Sequence, residues 1–158
     1  MKKVNDTIIY ICRLLIMIMI PAMTLVVFAQ VVMRYVFLSP FIWAEELARY
    51  LLLWISCLGA AYGLREGAHI AVMFLHNRFG RRSRFGLTLF IHLTVIGFFM
   101  VCCVAGFQIA LAQWDQISPG LQLPMTWAYL SIPVGFTIMT LLTLELLIAD
   151  CKKFGQAS

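Results

Sequence analysis

Charge is scarce in this chain. Asp, Glu, Lys and Arg make up 12% of its 158 residues, while 63% are hydrophobic and the mean hydropathy is +0.94. A soluble domain has about a quarter of its residues charged to cover its surface, so a soluble fold is excluded and an integral membrane protein is expected. The length suits one compact membrane domain over 1–158 and leaves no room for a separate soluble domain. The five cysteines (Cys12, Cys57, Cys102, Cys103 and Cys151) form no C-x-x-C pair and no metal-ligand spacing. Three of them lie inside apolar runs, where cysteine behaves as a small hydrophobe. No Ser-His-Asp combination and no glycine-rich phosphate loop is present, so neither an enzyme nor a cofactor is expected. A haem between helices would need a histidine facing His92 at equal depth, and His69 and His76 fall in a connection.

The most informative absence is at mid-membrane depth. A transporter that works alone keeps an ionisable group near the midplane, or two broken helices at corresponding positions. Here the apolar runs carry no Asp, Glu, Lys or Arg at mid-depth. Only Gln30, His92 and Gln108 are polar candidates, and no charge accompanies the helix-bending Pro21 and Pro133. The chain therefore reads as lacking a substrate or ion site of its own. A stand-alone small transporter, which requires an essential membrane carboxylate, is the first rival reading. A four-helix membrane redox protein, which requires facing histidines or paired cysteines, is the second.

What is present is organised around Trp43–His69. Glu45 and Glu46 precede Arg49 by one helical turn, with acid before base, the favourable order on a helix. The run 47–64 that follows is about 27 Å long as a helix, close to the hydrocarbon thickness of a bilayer. Three further spans are expected at 14–33, 85–112 and 125–149. The first is longer than a signal-peptide core and reads as a retained span, bent at Pro21. The third would be about 42 Å long and must tilt or protrude. The expected fold is all-α, with four transmembrane helices and an interfacial segment between the second and third.

Several features of the connections carry meaning. Gly59 and Gly63, like Ser56 and Ala60, form small-x-x-x-small pairs that let another backbone approach closely. Whether that neighbour belongs to this chain or to a second protein is left open. Arg34 ends the first span beside Glu45, Glu46 and Arg49, and charges at this depth call for a paired network. That network either staples spans one and two or leaves a member for another subunit. Between spans two and three, Arg78, Arg81, Arg82 and Arg84 suit phospholipid headgroups, and nucleic acid is not an expected partner. Ten of the twelve Lys and Arg residues fall at the two termini and in this connection, which puts both termini in the cytoplasm. Trp43, Trp114 and Trp127 then form an aromatic belt at the opposite rim.

Read together, these residues resemble a known family. Arg34-Tyr35, the run Trp43 to Arg49, Gly59-Ala60-Ala61, the run Arg65 to Ile70, and Ser118-Pro119, Leu123-Pro124, Tyr129, Ile132-Pro133 and Gly135 occur in the order found in the small membrane subunit, DctQ type, of tripartite ATP-independent periplasmic (TRAP) transporters. The resemblance implies a bacterial inner-membrane protein paired with a large multi-span permease subunit that holds the substrate and sodium sites. It further implies a periplasmic binding protein that delivers an organic acid, and a small subunit acting as the static scaffold for an elevator-type partner. On that view Arg34, Trp43, Glu45, Glu46, Arg49, Gly59 and Gly63 are candidates for the subunit interface or the rim network.

Overall fold

A computed structural model describes residues 2–76 and 81–156, with side chains described for 5–67 and 86–152. Five helices follow in order: α1 (Lys2–Tyr35), α2 (Ile42–His76), α3 (Arg81–Ala112), α4 (Thr126–Tyr129) and α5 (Ser131–Gln156). Four stretches are long and apolar enough to cross a membrane: Asn5–Tyr35, Ile42–Gly67, Gly86–Ala112 and Thr126–Lys152. Among the described residues no strand forms beyond an isolated bridge between Ile117 and Pro124.

The helices run past the expected spans at several ends. α1 starts at Lys2 because its polar first turns have partners: Asn5 and Asp6 reach groups on α5 and α2. α2 continues as one helix to His76, since 65–76 holds no proline and only one glycine to interrupt it. The expected interfacial segment is thus helical where its backbone is described. Residues 77–80, and with them Arg78, lie outside the described residues, as do the side chains of Arg81, Arg82 and Arg84. The fourth span is divided, with α4 ending at Tyr129 and α5 beginning at Ser131. Pro133 explains the division: it has no N–H to donate to the Tyr129 carbonyl, and its ring is tolerated in a first helical turn.

Packing follows the order α1–α2–α5–α3. α2 and α5 form the centre, α1 leans on α2 and α3 on α5, and α1 and α3 make no substantial contact with each other. α4 wedges against α3, α2 and α5 at one end. The helices therefore form an open row with two edges, α1 and α3. Small side chains let them approach: Ala44, Ala61, Ala110 and Ala128 are buried. A Cβ on Gly135 would lie 2.8 Å from Cys57 Cβ, and one on Gly106 would lie 2.6 Å from Ile132 Cγ2. These two glycines set the α2–α5 and α3–α5 spacings. Buried hydroxyls are satisfied locally, Thr140 donating to the Phe136 carbonyl and Thr143 to that of Met139. Phe98 and Phe99 meet Phe136 across the α3–α5 contact.

The two hairpins resemble one another. Ser39-Pro40 then Trp43-Ala44 lead into α2, and Ser118-Pro119 then Trp127-Ala128 lead into α5. In each, the tryptophan is exposed and the following alanine is buried.

Candidate interface, two charged rims and an open seam

At the rim bearing the α1–α2 turn, Glu45 stands between two arginines. It lies 3.7 Å from Arg34 at the end of α1 and 3.4 Å from Arg49 one turn along α2. All three are substantially exposed, so this bridge is a surface arrangement. Glu46 takes another course. Its Oε2 accepts hydrogen bonds from the Ser118 hydroxyl and from the Gly120 and Leu121 backbone N–H groups, both at 2.9 Å. A Cβ on residue 120 would lie 2.8 Å from that same Oε2, so glycine is what lets the loop close over the carboxylate. The adjacent acids thus do separate work: Glu45 ties α2 to α1, and Glu46 ties α2 to the 113–125 hairpin. Trp43, Trp114 and Trp127 are exposed at this end, and Trp54 Nε1 donates to the Trp127 carbonyl at 3.0 Å.

The opposite rim holds a tighter cluster that the sequence did not reveal. Arg65 contacts Asp6 of α1 at 2.6 Å and Glu145 of α5 at 3.1 Å. Asn5, itself buried, donates to Glu145 as well. Arg65 and Glu145 are largely withdrawn from solvent, with side chains 19% and 14% exposed. One guanidinium therefore joins three helices, as its planar, multi-donor shape allows. Nearby, His92 Nε2 lies 4.0 Å from Asp150 and Nδ1 lies 2.8 Å from the Thr88 carbonyl. His92 is accordingly a rim residue, facing a carboxylate of α5.

Inward of Arg13 on α1, and over 50–64, 93–112 and 126–144 of the other helices, the described side chains offer no charge. Glu45 and Arg65 are twenty positions apart on α2, about 30 Å along a helix, which matches the hydrocarbon thickness. The central stretch of α2 presents one exposed line through Leu52, Ser56, Ala60, Gly63 and Gly67, in steps of three and four that keep it on a single face. A Cβ on Gly59, Gly63 or Gly67 would meet nothing within 4 Å. Among the described residues the glycines of this ridge therefore have no neighbour. An apolar groove on the α3–α5 side, lined by Cys103, Phe107, Leu130 and Pro133 among others, carries only neutral polar groups. Among the described residues no group of three His, Cys, Asp or Glu is placed to hold a metal ion.

Comparison with known proteins gives this arrangement a context. The family model described as "Tripartite ATP-independent periplasmic transporters, DctQ component" matches residues 23–153. The chain is 34% identical over 100 residues to the C4-dicarboxylate TRAP transporter small permease protein DctQ of Rhodobacter capsulatus, covering 62% of this chain and 44% of that protein. It is 28% identical over 118 residues to the sialic acid TRAP transporter small permease protein SiaQ of Vibrio cholerae, covering 73% and 67%. A similar match, 27% over 118 residues, covers 72% of this chain but 18% of the sialic acid TRAP transporter permease protein SiaT of Haemophilus influenzae.

Proposed function

The chain belongs to the DctQ component family of tripartite ATP-independent periplasmic transporters, and from that premise we propose that it is the small, non-substrate-binding scaffold of a sodium-coupled importer of an organic acid. The family is a transporter membrane component and not an enzyme. Its relatives and its four apolar helices make it a multi-pass bacterial membrane protein. In this reading it lies in the inner membrane with both termini cytoplasmic, beside a large permease subunit supplied by a periplasmic binding protein. The short match within SiaT supports the pairing, because there a stretch like this chain forms a small part of a longer permease.

One observation carries the scaffold role: charges gather toward the two ends, and the described central stretches 14–33, 50–64, 93–112 and 126–144 have none. Cargo with a carboxylate needs a polar site on its path, whereas a fixed body needs only firm seating. The rim clusters, about 30 Å apart on α2, and the exposed tryptophans oppose vertical movement. The arginines 78, 81, 82 and 84 would add headgroup contacts. The open face at Gly59 and Gly63 is the proposed seat for a helix of the large subunit.

The test exploits that open space. Gly63→Leu and Gly59→Leu should leave the isolated chain folded, since a Cβ at either position meets no described atom within 4 Å. Both should reduce co-purification of the large subunit from mild detergent. Undiminished recovery of the complex would remove this face from the interface. Solute uptake by the chain alone in liposomes under an inward sodium gradient would overturn the scaffold reading itself.

A further inference from the structure

The turn joining α1 to α2 combines two costly features in one residue. Leu38 adopts φ 53°, the left-handed region that L side chains other than Asn and Asp rarely visit. It is also 83% exposed. The backbone alone accounts for the conformation: it brings the Ser39 N–H back to the Met33 carbonyl at 3.1 Å and so caps α1. Glycine or asparagine would do this at less strain. Leucine there is explained when the side chain has an apolar medium to enter.

Its surroundings point the same way. Tyr35, Val36, Phe37 and Ile42 are all exposed, and Phe41 packs on Trp43 with ring centroids 5.6 Å apart. From Tyr35 to Ala44 there is no charged residue. Because the turn is capped onto the end of α1 directly after Arg34, its tip stays close to the level of the Arg34–Glu45 pair. The interfacial layer outside the hydrocarbon is about 6 Å deep on each side, so the turn falls within it. The exposed face of α1 leads into the turn through Leu25, Phe28, Val31 and Tyr35. α1 is an edge helix without glycine, a bulky surface suited to fluid acyl chains and unlike the small-residue face of α2.

We propose that the α1–α2 turn is a lipid-inserting anchor, with Phe37, Leu38 and Ile42 entering the headgroup–acyl boundary of the adjacent leaflet. This goes beyond the scaffold role, which rests on the rim charges and tryptophans, and it involves a helix other than the one that seats the large subunit.

The test uses the full chain with its transporter partners in native membranes. Phe37, exposed and therefore tolerant, is replaced by the photo-crosslinking analogue p-benzoylphenylalanine, and the adducts are identified by mass. The expected result is phospholipid adducts in several-fold excess over protein adducts. Attachment chiefly to a protein chain would make the turn a partner contact and overturn the proposal. Absence of adducts to either would place it in water and overturn it equally. Adding Leu38→Asn, which suits the left-handed backbone but not the acyl boundary, should lower lipid adducts several-fold with unchanged recovery of the chain. Unchanged adducts would remove Leu38 from the anchor.

Discussion

Adjacent residues of one type can serve unlike ends, as Glu45 and Glu46 do. Glu45 is exposed at the rim between two exposed arginines, so removing one partner costs little. Arg34→Ala should lower stability by less than about 1 kcal/mol. Arg65 is the contrast, because without it the largely buried Glu145 loses its cation. Arg65→Ala should cost roughly 3 kcal/mol, and Arg65→Lys should retain part of this. Thermal unfolding of the purified chain in a single detergent would rank the three variants. For Glu46 the readout is local. Glu46→Ala should speed hydrogen exchange at the Gly120 amide, which loses its acceptor, more than at Leu121, whose N–H also reaches Ser118 Oγ at 3.2 Å, and leave the helices protected. Unchanged exchange there would mean that the hairpin holds its shape by other contacts.

Among the helices, the sequence was most readable where a signal repeats. Apolar runs of membrane length marked all four spans, and the acid-before-base spacing marked the bridge at the start of α2. Contacts between distant positions left no such trace. Arg65 meets residues 59 and 80 positions away, and Glu46 meets a loop 74 positions on. The first span was expected only from residue 14, because Asn5 and Asp6 at the polar start of α1 gain their partners only after folding. The glycines divided in the same way: spacing drew attention to Gly59 and Gly63, yet among the described helical glycines Gly106 and Gly135 are the ones that meet a neighbouring helix. Gly135→Ala should therefore destabilise the α2–α5 contact by about 1–3 kcal/mol through overpacking against Cys57. Gly63→Ala, with open space before it, should leave the melting temperature of the isolated chain unchanged or slightly raised.

For the molecule as a whole, the separation of the rim clusters sets a preferred surroundings. With Glu45 and Arg65 about 30 Å apart along α2, the chain should be most stable in bilayers of similar hydrocarbon thickness. Reconstitution into a series of phosphatidylcholines of increasing acyl length should give a stability maximum near that value, declining on both sides. A flat response would mean that the rims do not mark the membrane borders. Placing the four helices in a row also fixes what surrounds them. A slab one helix thick is wetted by acyl chains on both broad sides, so each copy orders more lipid than a closed bundle of equal length would. When a companion protein covers one side, those chains return to the fluid bilayer, and their regained freedom favours association even where the protein contacts themselves are slight.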